Sequence, residues 1–274
     1  MPLVDAALRA ARTRIDAVDA ELLLLHVVSR SHAWLFTHRD AVLDDAHAAA
    51  FNALVDRCAR GEPVAYLTGT RGFWTLDLAV TPATLIPRVE TELLVEWALS
   101  LIAPDAVARV ADLGTGSGAI ALAIARERPR AHVVAVDISV EALDVARGNA
   151  AAHRIENVEF VQGDWFAPLG DARFDLIVSN PPYLGADDPH LVQGALPHEP
   201  RGALVSGLDG LEAIRRIAHD APLHLARAGW LGIEHGLAQG DAVRAMLHDA
   251  GLVETGTRRD LEHRDRMTVG RGIS

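Results

Sequence analysis

From about residue 88 onward the chain repeats one rhythm: a short apolar segment, then a stretch long enough for a helix. Segments 109–113, 132–137, 157–162, 174–179 and 230–234 have the length and apolar content of buried strands. Between and beyond them, 119–128, 140–152, 208–227 and 238–250 have helical spacing. Alternation on this scale implies a parallel sheet covered by helices on both faces. The expected architecture is therefore α/β, a doubly wound, Rossmann-like domain.

What precedes residue 88 has a different period. Ile15, Val18, Leu22, Leu25 and Val28 recur at intervals of three and four, the stripe of an amphipathic helix. Ala48, Phe51, Leu54, Val55 and Cys58 form a second stripe within 44–60, which Gly61 and Pro63 stop. Aromatic and β-branched residues then alternate from Phe73 to Val80, bounded by Pro82 and Pro87, as in a short hairpin. The chain divides on this reading into a helical domain at 1–68, a β-hairpin connector at 69–87 and the α/β domain at 88–274.

Composition removes several classes of chemistry. All 26 basic residues are arginine, so a P-loop lysine, a Schiff-base lysine and a pyridoxal-phosphate anchor are excluded. A net charge of -11 without a basic run argues against autonomous nucleic-acid binding. The single cysteine, Cys58, excludes intrachain disulfides and zinc ribbons. None of the histidines falls in a His-Glu-x-x-His or clustered ligand arrangement, and no metal is expected. Without a basic-then-apolar leader or a run long enough to span a bilayer, the expectation is a cytoplasmic protein with no membrane partner, acting as a monomer.

Two loops carry chemistry. Asp112-Leu113-Gly114-Thr115-Gly116-Ser117-Gly118 falls between a predicted strand and a predicted helix. Glycines there let the backbone turn tightly and approach a ligand, and the following helix points free N–H groups into the same crevice. Asp137, ending the next predicted strand, is placed to accept hydrogen bonds from ribose hydroxyls. These features point to a nucleotide-like ligand but leave a nicotinamide dinucleotide in play, since Gly114, Gly116 and Ala119 also satisfy the dinucleotide fingerprint.

The second loop narrows the choice. Strand 174–179 ends in Asn180-Pro181-Pro182-Tyr183. Two prolines remove two N–H donors and fix φ, leaving a stiff loop that displays acceptors. The Asn180 amide oxygen and the Pro181 carbonyl can grip both hydrogens of an –NH₂ group, and Tyr183 offers a flat face for a planar amide or base. Such a site suits transfer to nitrogen better than hydride chemistry.

This combination resembles the Asn-Pro-Pro-Tyr group of S-adenosylmethionine-dependent N-methyltransferases, and more closely the release factor glutamine methyltransferases, the PrmC/HemK family. The resemblance covers nearly the whole length. It includes Arg60-Gly61-Glu62-Pro63, Tyr66-Leu67-Thr68-Gly69, Phe73-Trp74 and the run from Leu85 through Arg88, Glu90, Thr91 and Glu92. It continues through the glycine loop, Asp164-Trp165-Phe166, Asn180 to Tyr183, Glu199-Pro200, Gly207 to Leu211, Glu234-His235-Gly236 and Asp260-Leu261 with Arg264-Asp265-Arg266. Val89 stands where the family usually has proline, and Glu262-His263 where it usually has Ala-Gly.

The resemblance implies a class I methyltransferase fold and methyl transfer from S-adenosylmethionine, leaving S-adenosylhomocysteine. The acceptor would be the side-chain amide nitrogen (N5) of glutamine in the Gly-Gly-Gln motif of bacterial class I peptide-chain release factors. Gly114, Thr115, Gly116, Ser117 and Gly118 would then line the methionine part of the cofactor. Asp137 would hold the ribose, Trp165 would pack beside the adenine, and Asn180 would border cofactor and substrate. Pro181, Pro182 and Tyr183 would complete the substrate side, and the helical domain would recognise the protein substrate. The rival reading is an N6-adenine methyltransferase, whose target is also a conjugated –NH₂; the charge of -11 disfavours it.

Overall fold

The computed structural model describes residues 1–273, which form two compact units divided between Thr70 and Arg71. The smaller unit holds α1 (Val4–Ala11), α2 (Ala17–Val28), α3 (His32–Thr37), α4 (Asp45–Cys58) and α5 (Val64–Thr68). Asp16, Ser31 and Asp44 cap α2, α3 and α4 by accepting the N–H of Val18, Trp34 and His47. Leu8, Leu23, Leu24, Phe51 and Val55 make up much of its core.

The stripe expected in α2 is rotated. Val18 is 62% exposed and Leu22 half-exposed, while Ala20, Leu23, Leu24 and Leu25 are buried. Four consecutive leucines allow more than one helical frame. The Asp16 cap starts the helix at Ala17, leaving Ile15 outside it.

A hairpin begins at this division, β1 (Thr70–Phe73) and β2 (Leu76–Ala79), and the larger unit continues through α6 (Glu92–Leu101), β3 (Arg109–Leu113), α7 (Ala119–Glu127), β4 (His132–Asp137), α8 (Val140–His153), β5 (Val158–Gln162) and β6 (Phe174–Ser179). It closes with α9 (Glu212–His224), β7 (Leu225–Glu234), α10 (Gly240–Asp249), β8 (Val253–Arg259) and β9 (Asp265–Arg271). Phe73, Leu76 and Leu78 of the hairpin sink into the same core as the apolar residues of α6 and α7. Asn149 of α8 secures the hairpin's end, accepting the Ala79 N–H at 2.7 Å and donating to its carbonyl at 3.0 Å.

Among the described residues the larger unit contains a seven-stranded sheet in the order β5-β4-β3-β6-β7-β9-β8. The pairs from β5 to β7 are parallel, as the alternation implies. The parallel pairing stops at the far edge, where β9 inserts antiparallel between β7 and β8. Only five residues join β8 to β9, too few for the crossover that a parallel pair needs. His263 in that turn holds φ at 62°, in the left-handed region where the family's usual glycine carries no Cβ penalty. Val89 is 62% exposed, so the other departure from the family pattern leaves the core untouched.

The long helix expected over 208–227 is shorter at both ends. Gly207 and Gly210 sit at positive φ, so α9 starts at Glu212, and residues from Leu225 onward already pair as β7. No helix among the described residues is long and apolar enough to cross a membrane.

Candidate active site

In the sheet order, successive strands run from β3 toward β5 on one side and from β6 toward β7 on the other. The ends of β3 and β6 therefore flank the point where the direction reverses, which is where open α/β sheets bind ligands. Leu113 lies opposite Ser179, and the Ser179 hydroxyl donates to the Leu113 carbonyl at 2.7 Å. The glycine loop and the Asn-Pro-Pro-Tyr loop thus leave the sheet side by side.

A cavity of about 590 Å³ occupies this crevice. Gly114, Thr115, Gly116, Ser117, Asp137 and Trp165 line it, and so do Asn180 and Pro182. Thr91, a strap at 82–85 with Pro87, and Pro200, Gly202 and Ala203 complete the wall.

The glycine loop is held by its own neighbourhood. Asp112 accepts the Thr115 hydroxyl at 2.6 Å and the Ala121 N–H at 3.1 Å, tying loop and helix start to the strand. Burial pushes the Asp112 carboxyl up to about 7 against those two donors, and its other oxygen has no partner. Gly118 caps α7 at φ 85°, and a Cβ there would come within 3.0 Å of the Leu122 side chain.

Asp137 accepts the Gly116 N–H on one oxygen at 2.8 Å and the Ser139 N–H on the other at 2.9 Å. With the Ile138 N–H also acting on it, the carboxylate still has acceptor capacity to spare. Burial raises its pKa, with those backbone donors opposing the shift. The Trp165 ring lies against Gly114, where a Cβ would approach it to 3.3 Å.

On the other side, Asn180 donates from Nδ2 to the Thr91 hydroxyl at 3.1 Å. Tyr183 turns away from the cavity. Its ring packs against the core cluster containing Ile233, and its hydroxyl lies 3.5 Å from a carboxylate oxygen of Glu234. Burial raises the Tyr183 hydroxyl's pKa, with Glu234 adding to the shift. The Tyr183 carbonyl accepts from Gln239 Nε2 at 3.0 Å. Gly118, Pro181 and Tyr183 are not among the cavity's lining residues, whereas the eight other expected site residues are.

The structure adds residues that motif reasoning left without a role. Glu199, buried, accepts the Ile86 N–H at 3.0 Å and pairs with Arg88, clasping the 82–87 strap to the 200–203 turn. Thr91 and Glu234 stand behind Asn180 and Tyr183. Their pieces of sequence lie in the family-like runs, but only the fold brings them to the loop. His235 is buried between the Gly236 carbonyl and the Thr268 hydroxyl, away from the cavity lining.

Comparison with known proteins bears on the whole chain. A family model described as "Methyltransferase small domain" matches residues 90–206, and one described as "PrmC N-terminal domain" matches 4–69. A Xylella fastidiosa protein named release factor glutamine methyltransferase is 59% identical over 271 residues, 99% of this chain and 98% of that one. A Pseudomonas aeruginosa protein of the same name is 48% identical, covering 92% of this chain and 91% of its own. A methyltransferase structure from Pyrococcus furiosus shares the fold at a TM-score of 0.56 and 17% identity, covering 81% of this chain and 100% of that one.

Proposed function

Because the chain belongs to the release factor glutamine methyltransferases, we propose that its cavity binds S-adenosylmethionine beside the amide nitrogen (N5) of the glutamine in a class I release factor's Gly-Gly-Gln motif. The chain is a methyltransferase, and its acceptor is a release-factor glutamine. One observation carries the finer reading: a single cavity is walled both by the glycine loop with Asp137 and by Asn180 at the end of β6.

The residues fit the cofactor. Asp137 keeps acceptor sites for ribose hydroxyls, Trp165 offers a ring to an adenine, and Gly114 and Gly116 leave room for close approach. When bound, S-adenosylmethionine supplies an electrophilic methyl group on a sulfonium. An amide nitrogen is a weak nucleophile, because its lone pair is delocalised into the carbonyl. Asn180 Oδ1 and the Pro181 carbonyl accept its two hydrogens, orient the nitrogen and stabilise positive charge as it develops there. Pro181 and Pro182 stiffen the loop, and Tyr183 secures it from behind through Gln239. No strong base is needed beforehand, since the proton becomes acidic only as the methyl group arrives.

The helical unit serves recognition of the intact protein substrate in this reading. Deleting residues 1–68 is expected to weaken methylation of whole release factor more than that of a short Gly-Gly-Gln peptide; equal losses would count against the role. The direct test is mass spectrometry of class I release factor incubated with the protein and S-adenosylmethionine, beside a Gln→Ala control and duplex DNA. A single-methyl gain on that glutamine alone is expected. Methylated adenine with an unmodified release factor would overturn the reading.

A further inference from the structure

A carboxamide has nearly the same outline after a half-turn about its last side-chain bond, but its oxygen and nitrogen change places. Asn180 can grip an –NH₂ group only with its oxygen facing that group. Something behind it must therefore fix the orientation, and the fold supplies two buried residues there. Thr91, in the turn Val89–Thr91, is 4% exposed and accepts from Asn180 Nδ2 at 3.1 Å. Behind it lies Glu234, the last residue of β7, 1% exposed, with Oε2 lacking any hydrogen-bond partner and Oε1 3.5 Å from the Tyr183 hydroxyl.

A threonine hydroxyl has one proton to give. The Thr91 hydroxyl also faces the Glu234 carboxylate and favours its charged form. An ionised carboxylate only accepts, so a Thr91 proton turned toward Glu234 leaves Thr91 a lone pair for Asn180. Asn180 must then present Nδ2 to Thr91, which leaves Oδ1 for the substrate. We infer that Thr91 and Glu234 are positioning residues that hold the Asn180 carboxamide with its oxygen free to accept from the substrate amide. The inference rests on the functional reading above for what that oxygen binds.

The relay has a pH sense. Burial pushes Glu234 up to about 7; Glu90 adds to the shift, while Thr91, Arg266 and Tyr183 oppose it. Glu90 is itself 3.9 Å from Arg264, Arg88 adds positive charge near Tyr183, and the neighbouring His235 is held toward its neutral form by burial. Once protonated, Glu234 can donate to Thr91, which can then donate to Asn180 Oδ1 and turn the amide over. Turnover should fall as pH drops through about 7.

The test compares wild type with Thr91→Val, Thr91→Ser and Glu234→Gln on a Gly-Gly-Gln peptide, with S-adenosylmethionine affinity measured by calorimetry. Thr91→Val is expected to lower kcat about tenfold or more with cofactor Kd within about twofold, and Thr91→Ser to recover most of the rate. Glu234→Gln should lower turnover and erase the acid limb of the pH profile. Wild-type turnover in Thr91→Val, or an unchanged acid limb in Glu234→Gln, would overturn the relay. If Glu234→Gln fails to fold, the two Thr91 variants decide alone. The Asn180 side-chain amide signals in a ¹⁵N spectrum supply a readout independent of activity: Thr91→Val should shift them, and unmoved signals sink the proposal. Should wild type methylate no release factor, the functional reading falls, and the spectrum still decides the relay.

Discussion

After β3 the chain turns through Gly114, Gly116 and Gly118, all at positive φ, with the N–H groups of Gly114 and Thr115 on the Val136 carbonyl and that of Gly116 on Asp137; after β6 it turns through Pro181 and Pro182, which have none. The glycine loop takes its side-chain support from nearby: Asp112 within its own motif, and Asp137 on the adjacent strand. The proline loop is held from a distance, by Thr91 at the side chain of Asn180 and Gln239 at the carbonyl of Tyr183. One loop is shaped for close approach of a ligand and the other to present acceptors. Their supports differ accordingly, so damage to each should show in a different measurement.

The widest separation is expected from Asn180→Ala. Loss of one preorganised polar contact to a transition state costs roughly 10²–10³ in rate, so turnover should fall on that scale in single-turnover assays while calorimetry finds cofactor affinity little changed. A matching loss of affinity would mean the two loops are not separable. Gly210→Ala comes next. A Cβ there would stand 2.3 Å from the Tyr183 carbonyl oxygen, so the proline loop must shift and kcat should drop while cofactor binding holds. Gly116→Ala should do the reverse: its Cβ meets nothing, but φ at 57° costs about 1 kcal/mol and the strain falls where Asp137 is held.

Asp137→Asn removes a charged acceptor and should weaken cofactor binding by about 1.5 kcal/mol, about tenfold in Kd, with a smaller effect on kcat at saturating cofactor. The smallest effect concerns stability. Asp112 has its folded pKa raised from 3.8 to about 7, so its contribution is greatest below the unfolded value and is lost as pH climbs toward about 7. Denaturant midpoints of Asp112→Asn should consequently decline less than those of wild type over that window. The slope is reduced rather than removed, because Glu234 titrates in the same direction.

The same contrast explains what could be read from the sequence. The glycine loop and β3, β4 and β6 were legible because apolar runs and glycines act within a few residues of one another. Asn180 and its prolines were legible as chemistry, but what steadies them was not: Thr91 lies 89 positions away, and no local pattern links them. Tyr183 reads in sequence as a flat face toward the ligand, yet the fold turns its hydroxyl toward buried Glu234. Strands β8 and β9, at the antiparallel end of the sheet, were missed for a related reason. Val253 to Arg259 mixes glycine with charge, has little buried surface and becomes a strand only through pairing with β9. In α2 the four-leucine run hid the frame that the Asp16 cap settles.

The Glu199 clasp bears on the order in which the site can come into being. Its partner at Ile86 precedes it by 113 residues, and both segments it joins contribute to the cavity wall. A ribosome building this chain will have exported the glycine loop, Asp137 and all of Asn-Pro-Pro-Tyr before the acid that fastens the 82–87 strap emerges. Until then the strap has neither Glu199 nor the 200–203 turn to close against. A fragment ending before Glu199 would carry both chemical loops without the fastening between these two wall segments.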